Sequence, residues 1–378
     1  MAQSESVNTL KSSEYFAFIL GDLGNGGQEK QLLYLTLLFR KNNFNVTVFV
    51  WNMSDQNTHY NNLIRSGINV ICFDQGTNLL KKIFAIRKEL KRHPYKFLHS
   101  FAFYVNFYTW LSCFGLKTIP VGAIRTRMIL HFTDTGKILG GLCSWLPFYK
   151  ISNNHLFADD FKNPILRRRL RNTFIVPNHL DINNFHVSKS GDNVHIKTVS
   201  VGRLYSEKRI DLLIPIIKNA LQSGADIVHY HAGEGALEAD IRAGIKEAGI
   251  EKNFILCGNI NNIDAFLSDK DIFIHTADYE GYPNVIMEAM ACGKPIITTN
   301  CGDVTFMIKN NVNGFITEKG DIEALTSKLI YLYHNPEICR AFGAESRRIA
   351  ERMFNLKHLF QTTVDVYSKI SNYHFKKI

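Results

Sequence analysis

The chain has too few cysteines, too loosely placed, to be a disulfide-held scaffold. Seven (Cys72, Cys113, Cys143, Cys257, Cys292, Cys301 and Cys339) are scattered through 378 residues, an odd number with no C-x-x-C pair. That excludes a disulfide framework and a zinc knuckle, and it fits a reducing cytosol. Long apolar runs are also missing. The longest stretch, FAFYVNFYTWLSCFGL from Phe101, is interrupted by Asn106, Thr109 and Ser112 and falls short of the ~20 residues that a spanning helix needs. The opening MAQSESVNTLKSSEY is polar and has no signal-peptide pattern. There is no GK[ST] Walker loop, and G-x-G-x-x-G from Gly24 fails because Glu29 stands where the last glycine belongs. No helix-turn-helix or aromatic-basic RNA signature occurs, which argues against nucleic acid as a partner. No repeat or low-complexity tract stands out.

What is present describes an ordinary globular chain, 46% hydrophobic and 21% charged, long enough for two cores. Short apolar segments bounded by turns predict strands: YFAFIL, NVTVFV, INVICF, KFLHSF, IPVGAI and TFIVPN in the first half, then HIKTVSVG, DIVHYHAG, NFILCGN, DIFIHT and KPIITT. Several are apolar throughout, as strands covered on both faces are. Helical patterns such as QEKQLLYLTLLFRK lie between them, and the alternation predicts two doubly wound α/β domains. The polar segment NHLDINNFHVSKSGDNVH, from Asn178, reads as the linker, with domains at 1–185 and 186–355.

Three loops suit anions and sugars. LGDLGNGGQEKQL places Gly21, Gly24, Gly26 and Gly27 between a strand and a helix, where backbone amides can approach a phosphate. Read alone, it serves equally as a flexible turn. In VGRLYSEKRIDLL, Arg203 and Lys208 follow a strand end, where open α/β sheets bind ligands; one or both could also be plain surface charges. In EGYPNVIMEAMACGKPI, a helix predicted from Pro283 begins between Glu280 and Glu288. Its N-terminal amides, near Tyr282, Asn284 and Val285, would hold a phosphate between two carboxylates able to accept sugar hydroxyls. A nucleotide sugar has that layout. His229 and His231 share a strand face, but no third ligand at useful spacing makes them a metal site.

In order and spacing, these motifs, with HAGEGALEADI, LCGNI and VNGFI, resemble the retaining glycosyltransferases of family four, which have the GT-B fold. The similarity covers most of the chain and is strongest from Val201 to Gly314. It implies two Rossmann-like domains facing across a cleft, with a helix of residues 356–378 returning to the first. It also implies donor contacts from Gly26, Gly27, Arg203, Lys208, Gly235, Asn259, Ile260, Glu280, Gly281, Tyr282, Pro283, Asn284, Val285 and Glu288. Arg203 and Lys208 would neutralise the diphosphate, Glu288 would accept from the ribose, and Glu280 would hold the transferred sugar. Arg203, Lys208 and Glu280 are the expected catalytic residues. The implied donor is UDP-linked, and the reaction needs neither metal nor other cofactor. The acceptor would be a saccharide, lipid-linked in the sharpest version, and the setting bacterial cell-surface polysaccharide synthesis.

The chain departs from the family's pattern where a histidine commonly follows a first-domain strand. IPVGAIRTR offers Arg125 and Arg127 there, so His99, Arg125 and His131 are the candidates for the acceptor region. Charge divides unevenly: residues 1–185 hold 22 Lys+Arg against 11 Asp+Glu, and residues 186–378 hold 22 against 23. A basic first domain could meet an anionic membrane surface through KKIFAIRKELKR and the arginines 167, 168, 169 and 171, placing a cytoplasmic protein peripherally at the inner membrane. The other readings weighed are a GT-B epimerase or phosphorylase, a glycosidase using paired carboxylates, and a basic nucleic-acid binder.

Overall fold

The computed structural model describes residues 13–24, 26–53, 59–125, 135–157, 168, 170–187 and 195–375. They form two units. One comprises the chain to Asn178 together with Leu356–Ile378, and the other runs from His179 to Asn355.

The first unit is built on a parallel sheet of seven strands: β1 (Tyr15–Leu20), β2 (Asn45–Met53), β3 (Asn69–Asp74), β4 (Tyr95–Ser100), β5 (Ile119–Ile124), β6 (Tyr149–Ser152) and β7 (Thr173–Ile175), in the order β3-β2-β1-β4-β5-β6-β7. The period-two geometry of a strand sends alternate residues of β1 to opposite faces. Phe16, Phe18 and Leu20 join a core with Leu32, Leu35 and Phe39 of the helix Gly27–Lys41 and Tyr367 of the helix Leu356–Phe375. Ala17 and Ile19 join a second core with Ile83 and Ile86 of the helix Leu79–Arg92. Both faces are covered, which is why YFAFIL has no polar alternation.

The second unit repeats the plan with β8 (Ile196–Val201), β9 (Ile227–Ala232), β10 (Phe254–Leu256), β11 (Ile272–His275), β12 (Ile296–Thr299) and β13 (Gly314–Thr317), in the order β10-β9-β8-β11-β12-β13. Its core gathers Ile272, Ile274, Ile297 and Phe315 against the helices Leu213–Gln222 and Ile322–His334. The fold class expected from the sequence is the one observed: doubly wound α/β sheets.

Three sequence expectations need correction. Strands β6 and β13 are additional to those expected, because YKIS and GFIT break the apolar run with polar residues or glycine. In β6, YKIS, a buried lysine interrupts the apolar run; its ammonium donates to the Pro147 carbonyl at 2.6 Å. The stretch after Asn178 is no free linker over its described part. Leu180 N–H donates to the Phe354 carbonyl (2.9 Å), Arg347 donates to the Phe185 carbonyl (2.7 Å), and His186 pairs with Asp264 (2.8 Å). The unit division therefore falls at 178/179, ahead of the 185/186 division read from composition. Finally, Pro283 caps the helix Asn284–Ala291 from outside, with ψ at 106°, rather than filling its first turn.

Candidate functional site

The carboxyl ends of β8 to β12 converge on one edge of the second sheet, where such sheets bind ligands. Their loops are tied together by backbone hydrogen bonds. Leu204 N–H donates to the Glu234 carbonyl (3.0 Å), Leu237 N–H to the Leu204 carbonyl (3.0 Å), and Gly233 N–H to the Gly258 carbonyl (2.8 Å). The Glu234 carboxylate receives the Asn259 amide at 3.2 Å. Gly233, at φ +141°, and Gly235 lie so close to Gly202 and Leu204 that a side chain at either would overlap that backbone. The loops carrying Arg203, Gly235 and Asn259 thus form one braced platform, and Ile260 continues it, half-buried.

A charged cluster is pinned beside it. Lys208 Nζ donates to Glu280 Oε1 at 2.5 Å, and His275 Nε2 meets the same oxygen at 3.2 Å. His275 ends β11, and its Nδ1 lies 3.1 Å from Thr298 Oγ1. Burial alone would push the imidazole down, but the Cys301 sulfur and the Glu280 carboxylate outweigh it and raise His275 to about 9. Burial likewise opposes ionisation of Glu280, yet His275 and Lys208 hold it down at about 2. The cluster is therefore a half-buried carboxylate flanked by two cations at neutral pH, of which His275 is fully buried. Backbone braces fix it in place. Asp278 N–H donates to the Glu207 carbonyl (2.9 Å), Thr276 Oγ1 to the Lys208 carbonyl (3.1 Å), and Asp303 N–H to the Gly281 carbonyl (3.0 Å). Arg209 sits in the left-handed region at φ +50°, which costs an ordinary residue ~1–2 kcal/mol. Its bonds to Asp211 and Asp278, each at 3.1 Å, hold it there.

Next to Glu280 begins the helix Asn284–Ala291, whose first amides, including those of Asn284 and Val285, lie outside the intrahelical ladder. Tyr282 and Pro283 are buried in the turn that feeds it, and Glu288 is buried in its second turn. Arg203 stands apart. Its side chain is 70% exposed, 3.6 Å from Glu207 and stacked over the Tyr205 ring. Of the two expected phosphate-binding cations, then, Arg203 is largely exposed and Lys208 is engaged by Glu280.

The remaining expected residues lie in the first unit. Gly26 caps the helix Gly27–Lys41, with the Glu29 carboxylate folded against it. His99, in β4, is buried; its Nδ1 lies 2.7 Å from the Tyr367 hydroxyl and its Nε2 has no hydrogen-bond partner among the described residues. Arg125 follows β5, with its guanidinium 4.2 Å from the Phe101 ring centre. His131, Arg127, Arg167 and Arg169 lie outside the described residues. The stretch from Phe101 is interior: Phe101, Phe103 and Val105 are buried, and a helix follows over Asn106–Cys113. Lys82, counted among the basic surface, is buried too, bonded to Trp51 O and Asn52 Oδ1. Sequence reasoning missed His275, Glu234 and Asp278. For His275 a signal existed, a polar residue at the carboxyl end of an apolar strand five positions before Glu280.

Comparison with known proteins finds a family match that spans this edge. Residues 182–349 match glycosyl transferases group 1. The match takes in every site residue of the second unit. The poly(ribitol-phosphate) alpha-N-acetylglucosaminyltransferase of Staphylococcus aureus is 25% identical over 208 residues, 53% of this chain and 42% of that protein. The amylovoran biosynthesis glycosyltransferase AmsK of Erwinia amylovora is 26% identical over 193 residues, 48% of this chain and 47% of that protein. The chain thus spans less than half the length of these relatives. Among solved structures, Anabaena Alr3699/HepE in complex with UDP superposes with a TM-score of 0.79 at 18% identity, covering 94% of this chain and all of that one. The fold is GT-B.

Proposed function

We propose that the chain is a retaining glycosyltransferase that moves a sugar from a UDP-sugar to a saccharide hydroxyl in bacterial surface-polysaccharide synthesis. The observation that carries the proposal is the half-buried Lys208–Glu280–His275 cluster beside the amino end of the helix Asn284–Ala291. An anionic diphosphate at that helix end meets backbone amides, the Lys208 ammonium and the exposed Arg203 fork. Glu280 keeps its negative charge next to them and can accept sugar hydroxyls, and Glu288 would take those of the ribose.

In the proposed reaction the bond from the anomeric carbon to the phosphate oxygen breaks first. The sugar passes through a short-lived oxocarbenium-like species. The acceptor oxygen attacks from the same face, and the departing phosphate takes its proton. Arg203, Lys208 and the amides stabilise charge growing on the leaving group; preorganised donors of this kind contribute ~3–4 kcal/mol each. These groups neutralise the diphosphate without a metal ion. The finer parts of the proposal are a lipid-linked acceptor and a peripheral site at an anionic membrane, supported by the excess of Lys+Arg in residues 1–185.

The test is a panel of nucleotide sugars followed by thermal shift, then turnover with the best donor. Arg203→Ala is expected to lower kcat by ~10²-fold with a smaller change in donor affinity. Unchanged turnover would remove Arg203 from the mechanism. Donor consumed without acceptor would favour an epimerase or hydrolase.

A further inference from the structure

Inside the second sheet, β8 and β9 carry a line of buried polar side chains that the proposed chemistry leaves unused. Thr198 pairs in register with His229, and Ser200 with His231. All four are buried. Thr198 Oγ1 lies 2.9 Å from His229 Nδ1, and His229 Nε2 lies 2.9 Å from Ser200 Oγ. Ser200 Oγ lies 2.7 Å from His231 Nδ1, and His231 Nε2 lies 3.0 Å from the Gly202 carbonyl oxygen.

The last contact fixes every proton in the line. A carbonyl oxygen only accepts, so His231 Nε2 carries the hydrogen. Deep burial keeps both imidazoles neutral. His231 Nδ1 is then bare and accepts the Ser200 hydroxyl. That hydroxyl has one hydrogen, so Ser200 must accept from His229 Nε2–H. His229 Nδ1 is bare in turn and accepts from Thr198. The four bonds run one way and end at the Gly202 carbonyl, so each polarises the next.

The Gly202–Arg203 peptide is the one this line holds. In a trans peptide the amide hydrogen lies on the edge opposite the carbonyl. Fixing Gly202 C=O against His231 therefore fixes the direction of Arg203 N–H, for which no acceptor occurs among the described residues. Gly233, packed on the Gly202 carbonyl, leaves that peptide little room to turn. We propose that His231, backed by Ser200, His229 and Thr198, is a positioning residue that orients the Gly202–Arg203 peptide so that Arg203 presents its amide and guanidinium to a nucleoside diphosphate. This rests on the donor reading above.

The experiment measures UDP binding by calorimetry for the wild type, His231→Gln, His231→Leu and Ser200→Ala, with nitrogen NMR of labelled imidazoles in the wild type. Gln restores an N–H at the Nε2 position and is expected to stay within ~3-fold of wild type; Leu removes the donor and is expected to weaken UDP by ~10-fold. Ser200→Ala should fall between them. The neutral His231 ring should carry its hydrogen on Nε2. Wild-type affinity in a folded His231→Leu protein overturns the proposal. So does a neutral His231 protonated on Nδ1, a readout that stands even where His231→Leu does not fold. Failure of the wild type to bind UDP, with the Nε2–H form intact, overturns the donor reading instead.

Discussion

The two sheets place a buried histidine at corresponding points and give it opposite charge. Each sheet starts in its middle, and its fourth strand in chain order, β4 or β11, flanks the first, β1 or β8. His99 is near the end of β4, and His275 ends β11. Burial pushes His99 well below the ordinary range, and nearby Arg125 pushes it further. His275 meets the same burial, but Cys301 and Glu280 reverse the outcome and keep it protonated to about 9. The strand end thus supplies a position, and the loop that returns to it supplies the chemistry. A carboxylate returns beside His275; an arginine, a tyrosine and aromatic rings surround His99.

Glu280→Gln breaks this contrast most severely. It leaves the buried His275 and the half-buried Lys208 without their counter-charge, and removing one partner of a buried pair costs ~3–5 kcal/mol. We expect a large drop in Tm, loss of transfer activity by ~10²-fold or more, and a His275 that titrates below its present range. A Glu280→Gln enzyme with wild-type Tm and turnover would show that the cluster neither stabilises nor catalyses.

The pH dependence sharpens the contrast because the two histidines have opposite signs. His275 is raised from an ordinary 6.5, so its contribution is fully present below pH 6.5 and is lost as pH rises through about 9. His99 is lowered, so its neutral form favours folding above pH 6.5, and that contribution is lost as pH falls below it. Glu280, lowered from 4.5, contributes above pH 4.5 and loses that contribution toward pH 2. The Tm gap between wild type and His275→Gln should therefore shrink from pH 7 to pH 10. The gap for His99→Phe should grow less favourable to the wild type from pH 7 to pH 5. A His275 gap that is flat across the alkaline range would mean that the imidazole is not charged at neutral pH.

Much of this architecture was legible before any coordinates. Apolar segments such as YFAFIL and IPVGAI gave their strands residue for residue, because both faces of a parallel sheet are covered and the pattern has no polar interruptions. The helix start between Glu280 and Glu288 was legible because proline and glycine punctuate it. What stayed hidden depends on contacts distant in sequence. Nothing in SEK shows that Lys208 will reach Glu280, and nothing in VHYHAG shows that two histidines will be threaded by the serine and threonine of a neighbouring strand. Lys82 reads as surface charge, yet its ammonium is buried against a carbonyl. Of the four-residue strands, IFIH and IITT read as apolar segments, but the lysine of YKIS and the glycine of GFIT break the pattern.

The gentlest test bears on His99. Tyr367, on the helix Leu356–Phe375, is wholly buried and stacks on Phe97 at 4.5 Å while its hydroxyl meets His99 Nδ1 at 2.7 Å. Among the described residues the Nε2 side has no acceptor, so the neutral ring gains most by holding its hydrogen on Nδ1 and donating to the tyrosine oxygen. Tyr367→Phe keeps the stack and removes only this bond, so the ring loses its one hydrogen-bond partner among the described residues. We expect ~1–2 kcal/mol of lost stability, the usual result of stranding a buried polar group. Near-neutrality, read by chemical denaturation at pH 8, would mean that His99 finds another partner when the hydroxyl is gone. The two strand ends would then differ less than their present neighbours imply.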